Sequence, residues 1–271
     1  MFKKLMSIPI ELIQNRKLIF TLAKNDFKTK YAGSYLGIFW AFVQPIITIF
    51  VYWFVFGNIF QNGTDRGAPY VLWLVTGLVP WFFLQDGLVS GTNTFIEYNY
   101  LVKKVVFKIS ILPMVKILSA FFIHIFFLGF VLLMYVFYGI VPDFYYLQVI
   151  YYSFCIFCFV LAVSYITSSI VVFFRDLTQI VNIVLQVGIW LTPIMWAFPD
   201  LGLSDSSLIA KLLKLNPMYY VVNGYRTTLI DKIGFWEYPS LTLYFWGVTA
   251  VLFLIGILLF RRLKVHFADV L

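Results

Sequence analysis

Charged residues are scarce in this chain. Only 12% of its 271 residues are Asp, Glu, Lys or Arg, whereas 62% are hydrophobic and 21% are aromatic. A soluble domain typically carries about 25% charged and about 45–50% apolar residues. The shortage of charge excludes an ordinary soluble globule and a disordered chain, and two cysteines are too few for a disulfide scaffold. The class that remains is a polytopic membrane protein.

The motifs of common catalytic sites are also missing. No glycine is followed directly by lysine, which excludes the G-x-x-x-x-G-K phosphate loop, and neither G-x-S-x-G nor H-E-x-x-H occurs. Cys155 and Cys158 form a C-x-x-C inside an apolar run, without further cysteines or a nearby histidine, which favours packing over a metal or redox role. We therefore expect no ATPase activity, no catalytic residue, and no cofactor or metal ion in this chain.

Long uncharged stretches, by contrast, recur along the whole chain. A helix needs about 20 apolar residues to cross a hydrocarbon core of about 30 Å, and backbone groups in lipid must be satisfied within the segment. Such runs, which lack the alternation of barrel strands, predict an all-α integral membrane fold with six transmembrane helices. The predicted spans are 36–60, 70–91, 115–138, 146–173, 179–198 and 239–260.

The net charge of +8 is distributed as short basic clusters between these runs. The clusters form no single basic face, so we expect no nucleic-acid partner. Fifteen of the 20 Lys and Arg residues fall on the side of the two termini, and the positive-inside rule therefore predicts that both termini are cytoplasmic. We expect one membrane domain, 1–271, made of these segments: an interfacial segment 1–35, spans one to five in 36–198, an extracellular segment 199–238, span six at 239–260, and a tail 261–271.

Three segments are too polar or too short to cross. Residues 10–31 predict a basic amphipathic helix, which either only anchors the chain to the inner leaflet or also contacts a cytoplasmic partner. Residues 92–114 are either a short helix presented to a partner or a charged topology anchor. Residues 199–238 hold two apolar stretches separated by Asn216-Pro217, which predicts a re-entrant helical hairpin that is either a lid on an exit path or a surface loop.

Few polar side chains lie inside the predicted spans or their tight turns. Asp86 either lines a pathway or lies near the cytoplasmic end of a helix kinked after Pro80, because an uncompensated charge at mid-membrane is costly. Arg175 and Asp176 fill a turn, where they either pair and cap helix ends or contact a cytoplasmic partner. Dense aromatic residues suit lipid contact or a sugar conduit, and they are Tyr52, Trp53, Trp73, Trp81, Phe82 and Phe83.

Several motifs recur in order along nearly the whole chain. They are KYAGSYLG at 30–37 followed by Trp40 and Gln44-Pro45, YWFVFG at 52–57, GLVPWFF at 77–83, ISILP at 109–113, FRDL at 174–177, and NPMYY at 216–220 with GYR at 224–226. This order and spacing resembles the type-2 ABC exporter permeases for cell-surface polysaccharides. Within that group the motifs are most similar to the teichoic acid export permeases of Gram-positive bacteria.

The resemblance implies the type-2 ABC exporter fold in a bacterial plasma membrane. It implies a homodimer of six-span subunits and two copies of a separate ABC ATPase subunit, which would bind ATP and Mg²⁺. It also implies that the N-terminal helix lies at the ATPase interface and that 98–108 forms the main cytoplasmic coupling helix. The predicted ATPase-coupling residues are Tyr98, Tyr100, Leu101, Lys103, Lys104, Lys108, Arg175 and Asp176.

The resemblance further implies an outer gate at 207–230 and a channel between subunits. The predicted gate residues are Asn216, Pro217, Tyr219, Tyr220, Tyr225 and Arg226. The six aromatic residues named above are the predicted channel lining, with Asp86 as the polar residue of the pathway. Basic residues near the inner mouth are expected to attract lipid phosphates, and they are Arg16, Lys17, Lys28, Lys30, Lys103 and Lys104.

These expectations predict the permease subunit of an ATP-driven exporter. Its cargo would be an undecaprenyl-linked polyanionic glycopolymer, teichoic acid, moved from the cytoplasm to the outer face of the membrane. The alternative within this class is a permease for O-antigen, capsular polysaccharide, a lipid or a drug. A secondary transporter is disfavoured because no series of ionisable groups crosses the spans, and a membrane-embedded glycan polymerase because the outer segments carry only five basic residues.

Overall fold

Helices form all the regular structure in the described part of the chain. The computed structural model describes residues 7–32, 35–59, 68–104, 108–202, 204 and 207–271, and every regular element within them is helical. The all-α class is therefore confirmed for these residues. The start of the predicted interfacial segment, its residues 33–34, the end of the predicted first span and part of the predicted coupling helix, 105–107, lie outside the described residues.

Thirteen α-helices are present in the described residues. In chain order they are α1 (Ser7–Gln14), α2 (Arg16–Tyr31), α3 (Trp40–Tyr52), α4 (Tyr70–Thr92), α5 (Thr94–Glu97), α6 (Asn99–Val102), α7 (Leu112–Phe137), α8 (Gln148–Val171), α9 (Leu177–Leu191), α10 (Leu208–Lys214), α11 (Pro217–Arg226), α12 (Pro239–Leu263) and α13 (Phe267–Val270). The amphipathic segment predicted at 10–31 is thus two helices, α1 and α2, rather than one.

Within the residues that the structure describes, five helical segments are long and apolar enough to cross a membrane. They contain α3, α4, α7, α8 and α12, and several are extended by short 3-10 or π-helical turns at their ends. With these extensions the five segments are Gly37–Gly57, Tyr70–Thr92, Ile109–Phe137, Phe144–Val171 and Pro239–Val270. Five of the six predicted spans therefore coincide with helices of sufficient length.

The helix at the predicted fifth span, 179–198, is shorter than expected. α9 has 15 residues, which at 1.5 Å per residue cover about 22 Å of a hydrocarbon core of about 30 Å. Thr192 is extended (φ −93°, ψ 129°) because Pro193 disfavours the helical conformation in the residue before it. The predicted boundary at 198 is therefore wrong, and a sixth crossing stays a prediction.

The centre of the bundle is formed by α4 and α8, which are largely buried between α7, α11 and α12. Small residues in α4 and α12 let these two helices approach α8 closely. A Cβ atom at Gly91 of α4 would lie 2.3 Å from the Ser164 hydroxyl, and one at Gly256 of α12 would lie 2.8 Å from Cβ of Tyr165. The helix axes can adopt these positions only because both residues lack a side chain.

The helices α2 and α13, near the start and the end of the described chain, pack at the same end of the bundle. α2 lies against α7, where Ile19 and Ala23 contact Val115 in a small apolar cluster. Phe267 of α13 packs against Phe95, with ring centroids 5.0 Å apart. This arrangement agrees with the prediction that both termini lie on one side of the membrane, although the orientation itself stays a prediction.

We predict that Gly224→Ala destabilises the fold by about 1–3 kcal/mol through overpacking. A Cβ atom at Gly224 of α11 would lie 2.0 Å from the buried ring of Tyr152 in α8. The thermal unfolding midpoint in detergent should fall for this variant. Gly247→Ala is the matched control, because its added Cβ meets no atom within 4 Å, and equal midpoints for the two variants would contradict the packing argument.

Candidate functional site

A partly buried cluster of polar residues joins α2 to the segment after α4 and to the start of α7. Lys116 Nζ donates to Asp26 Oδ1 (2.6 Å) and to Glu97 Oε2 (2.5 Å), and the Tyr98 hydroxyl donates to Asp26 Oδ1 (2.7 Å). The Lys116 ammonium also lies 4.8 Å from the Tyr98 ring centroid. We name Asp26, Glu97, Tyr98 and Lys116 the inner ion cluster, since it lies at the predicted cytoplasmic end.

Burial makes the members of the inner ion cluster depend on one another. Lys116 and Asp26 are each only 8% exposed, and an ion taken out of water is costly unless a partner compensates for the lost hydration. Burial and the hydrogen bond to Asp26 both raise the pKa of the Tyr98 phenol, so its hydroxyl remains a donor. Loss of Lys116 would leave Asp26 buried without its cation, and the cluster therefore fixes α2 against α7.

The predicted coupling segment, 98–108, is not one continuous helix. α5 and α6 are single turns that end at Glu97 and Val102, and the described chain resumes at Lys108. Among the predicted coupling residues, Tyr98 belongs to the inner ion cluster and Leu101 is half-buried. The exposed ones are Tyr100, Lys103, Lys104 and Lys108. The segment thus has one face packed on the subunit and one face directed outward.

Most other polar residues predicted at the cytoplasmic side are exposed. Arg16, Lys17 and Lys28 lie on the outer face of α2. Arg175 and Asp176 form the turn between α8 and α9, where the Asp176 side chain does not cap α9 and neither side chain bonds to the described part of the chain. The alternative in which these two residues pair and cap helix ends is therefore wrong.

A second charge pair lies in a groove between α2, α3 and α4, which we name the lateral groove. Lys30 at the end of α2 pairs with Asp86 of α4, and both side chains are partly exposed. The groove has a volume of about 370 Å³, and its walls include Tyr31, Trp40, Gln44 and Phe82. The predicted pathway acid is therefore neutralised by one of the cations predicted to attract lipid phosphates.

The six predicted channel aromatics divide into two groups. Three are buried within the single chain, and these are Trp73, Trp81 and Phe83. In this conformation they are packing residues of the core, because α4 is enclosed by its neighbours. Three are half-buried, and these are Tyr52, Trp53 and Phe82. Only the second group has surface that a channel could use, and its role stays a prediction.

The predicted outer hairpin consists of α10 and α11, separated at Asn216. The Asn216 carboxamide links the hairpin to the end of α9: its Oδ1 accepts from Met218 N–H (3.0 Å) and its Nδ2 donates to Thr192 Oγ1 (2.8 Å). Pro217 begins α11, where its missing N–H would be unsatisfied in any case. The tyrosines predicted at the gate are buried, and they are Tyr219, Tyr220 and Tyr225.

Arg226 at the end of α11 connects the hairpin to two other elements. Its guanidinium lies 3.3 Å from the Trp73 ring centroid and donates to the backbone carbonyls of Pro193 and Ile194, the latter at 2.7 Å. These carbonyls lie just beyond the end of α9, where no following helical turn can satisfy them. We name Arg226, Trp73, Pro193 and Ile194 the outer clamp.

Comparison with known proteins agrees with the motifs. A family model described as ABC-2 type transporter matches residues 17–230, which include the inner ion cluster, the lateral groove and the outer clamp. The chain belongs to the ABC-2 type transporter family. It is 28% identical over 258 residues to an O-antigen export system permease protein of Klebsiella pneumoniae, covering 94% of this chain and 95% of the relative. A permease protein of the same description from Myxococcus xanthus is 27% identical over 221 residues, covering 82% and 83%.

Three members of the inner ion cluster of this ABC-2 type transporter, Asp26, Glu97 and Lys116, are not among the functional residues predicted from the sequence. Asp26 lies three residues after the buried Ala23, so it falls on the apolar face of α2, and that position is the signal of a buried acid. Lys116 gives no such signal, because a lysine at the start of an apolar run ordinarily extends to the membrane surface. Glu97 gives no comparable signal, because its pairing depends on the turn that α5 makes after α4.

We predict that Lys116→Met destabilises this ABC-2 type transporter by about 3–5 kcal/mol, because it leaves Asp26 buried without its cation. Adding Asp26→Asn to Lys116→Met should recover part of the loss. Thermal unfolding of the single and double variants in detergent measures both effects. Lys104→Met removes an exposed lysine and should change the midpoint little; a Lys116→Met midpoint equal to this control would contradict the role of the cluster.

We predict that Arg226→Lys destabilises the protein by about 2 kcal/mol or more. Lysine keeps the charge but cannot present a planar fork to two carbonyls or stack on Trp73, and a hydrogen bond from a charged donor contributes about 1.5–3 kcal/mol. The unfolding midpoint is compared with that of Arg175→Lys, which makes the same exchange at an exposed turn. Equal midpoints would show that the fork geometry at Arg226 is unimportant.

Proposed function

We propose that this ABC-2 type transporter is the permease subunit of an ATP-driven exporter of lipid-linked cell-surface polysaccharide. The observation that carries the proposal is the inner ion cluster, which bonds the amphipathic helix α2, the start of the predicted coupling segment and the long apolar helix α7. A displacement of the exposed face of that segment would therefore reach a membrane helix through Glu97 and Tyr98, which both bond to the buried pair of Asp26 and Lys116. The O-antigen export permeases related over nearly the whole chain support this class of cargo.

A separate ATPase subunit, two copies per exporter, would bind ATP and Mg²⁺ and supply the energy. The proposed docking surface is the outward face of the coupling segment together with the turn between α8 and α9. Its residues are Tyr100, Lys103, Lys104, Lys108, Arg175 and Asp176. Because Tyr100, Lys103 and Lys104 are exposed and follow Glu97 and Tyr98 by only a few residues, a partner seated there would act directly on these two members of the inner ion cluster.

Two copies of this chain would pair through α3 and α9. Both helices keep most of their apolar side chains exposed on the surface of the subunit. Phe56, in the π-helical turn Trp53–Ile59 after α3, lies near Trp190 of α9, with ring centroids 6.4 Å apart. Gln44 on α3 and Gln186 on α9 are exposed amides on these apolar helices. An amide in hydrocarbon without a hydrogen-bond partner costs free energy, so a second protein surface or a water-filled path suits them better than lipid.

The lateral groove is the proposed entry for the lipid-linked end of the cargo. Lys30 would attract a phosphate, Asp86 would accept hydrogen bonds from hydroxyls, and the aromatic walls would contact the apolar faces of sugars. The motifs favour teichoic acid, a polyanion, whereas the relatives are described as exporters of O-antigen. The cargo is therefore tested with both kinds of polymer.

The first experiment is purification of the tagged chain from its native membrane in mild detergent. We expect an ATPase subunit at one copy per permease and ATP hydrolysis that vanadate inhibits. In proteoliposomes the complex should move lipid-linked O-polysaccharide or lipid-linked poly(ribitol phosphate) in an ATP-dependent manner, and the preferred polymer identifies the cargo. A permease that retains no ATPase would overturn the proposal and favour a secondary transporter.

We predict that Lys104→Glu lowers ATP-driven export at least several-fold while leaving the unfolding midpoint unchanged. The substitution reverses an exposed charge on the proposed docking surface without touching the inner ion cluster. Arg262→Glu makes the same change at an exposed position near the end of α12, on the same predicted side of the membrane, and should keep export near the native level. Equal export by the two variants would argue against this surface.

A further inference from the structure

A small cavity adjoins the outer clamp. It has a volume of about 220 Å³ and lies where α11 and the π-helical turns Thr227–Asp231 face the start of α4 and the segment after α9. About seven waters would fill this volume, which is enough room for one sugar ring. We name it the outer cleft and define it by six of its lining residues, Trp73, Phe198, Tyr219, Asn223, Arg226 and Asp231.

The polar side chains of the outer cleft balance one another in charge. Arg226 supplies a cation that is only 7% exposed, Asp231 supplies a carboxyl group, and Asn223 supplies an amide that both donates and accepts. Burial raises the pKa of the Asp231 carboxyl, while the Arg226 charge opposes that rise. A site with one group of each sign and an amide suits a neutral ligand rich in hydroxyls better than a free ion.

The other walls of the outer cleft are aromatic. Phe198 follows the end of α9 and Tyr219 lies in α11, with ring centroids 5.9 Å apart. The Lys214 ammonium lies 5.5 Å from the Phe198 ring centroid, at the margin of the cleft. Aromatic faces beside a few fixed hydrogen-bonding groups match the two surfaces of a sugar, whose C–H groups are apolar and whose hydroxyls are polar.

We propose that the outer cleft binds one sugar or sugar-alcohol residue of the exported polymer. Its hydroxyls would bond to Asn223 and Asp231, and its C–H groups would contact Phe198 and Tyr219. The statement that the bound residue belongs to the exported polymer rests on the proposed function. Binding of a saccharide in the cleft does not, since a saccharide site can exist in any transporter. Because Arg226 both borders the cleft and holds the end of α9, a bound residue would be held where the hairpin meets that helix.

Binding is measured by calorimetry on the full chain in lipid nanodiscs, with the subunits that copurify and without ATP. The probes are a neutral mannose tetrasaccharide, an N-acetylglucosamine tetrasaccharide and a ribitol phosphate tetramer, which separate neutral sugars from sugar-alcohol phosphates. We expect at least one probe to bind and its affinity to fall at least tenfold in Asn223→Leu and in Asp231→Leu. Asp269→Leu, a matched change at an exposed position in α13, should leave the affinity unchanged.

Two further variants separate binding from folding. Asp231→Asn keeps the shape and part of the hydrogen bonding and should bind more tightly than Asp231→Leu, provided that the unfolding midpoints match. Phe198→Ala should weaken binding, whereas Phe137→Ala, at an exposed ring, should not. The proposed saccharide site would be overturned if the native chain bound none of the probes, or if the cleft variants bound as tightly as the control variants. Loss of ATP-driven export with binding intact would instead argue against the proposed function alone.

Discussion

Every backbone polar group at membrane depth must find its partner within the protein, because hydrocarbon offers none. This constraint applies where α9 ends and Pro193 prevents a further helical turn. The carbonyls of Pro193 and Ile194 would be costly to bury, and the Arg226 guanidinium satisfies them. The hairpin is consequently not an independent loop: the last residue of α11 completes the end of α9, so the two elements must move together or exchange these bonds.

The same constraint, applied to charge, governs the opposite end of the bundle. Lys116 and Asp26 are buried and can persist only as a pair, with Glu97 and Tyr98 completing the hydrogen bonds. The amphipathic helix α2 is therefore attached by charge as well as by the apolar contact of Ile19 and Ala23 with α7. A surface helix held only by apolar contact would slide on its neighbour, whereas a buried ion network permits few positions.

The features that depend on local chemistry could be predicted from the sequence. Apolar runs identify five of the long helices, Asn216-Pro217 marks the break in the hairpin, and the ordered motifs identify the family. Pairing between distant residues could not be predicted, since Lys30 and Asp86 are separated by 56 positions and no local pattern joins them. The burial of Trp73 and Trp81 was missed for the same reason, because a hydropathy pattern does not distinguish a lipid face from a protein face.

The inner ion cluster and the outer clamp lie at opposite ends of α4, and the packing of this helix explains how a movement at one could affect the other. Trp73, in the first turn of α4, stacks with Arg226. Glu97, five residues after the end of α4, bonds to Lys116. The 23 residues of α4 span about 34 Å, and they are close-packed through Gly87 against Val160 and through Gly91 against Ser164 of α8. Close-packed interiors transmit displacement rather than absorb it. A movement at the inner ion cluster would therefore shift α4 as a body, and the outer clamp would have to follow or break its stacking on Trp73.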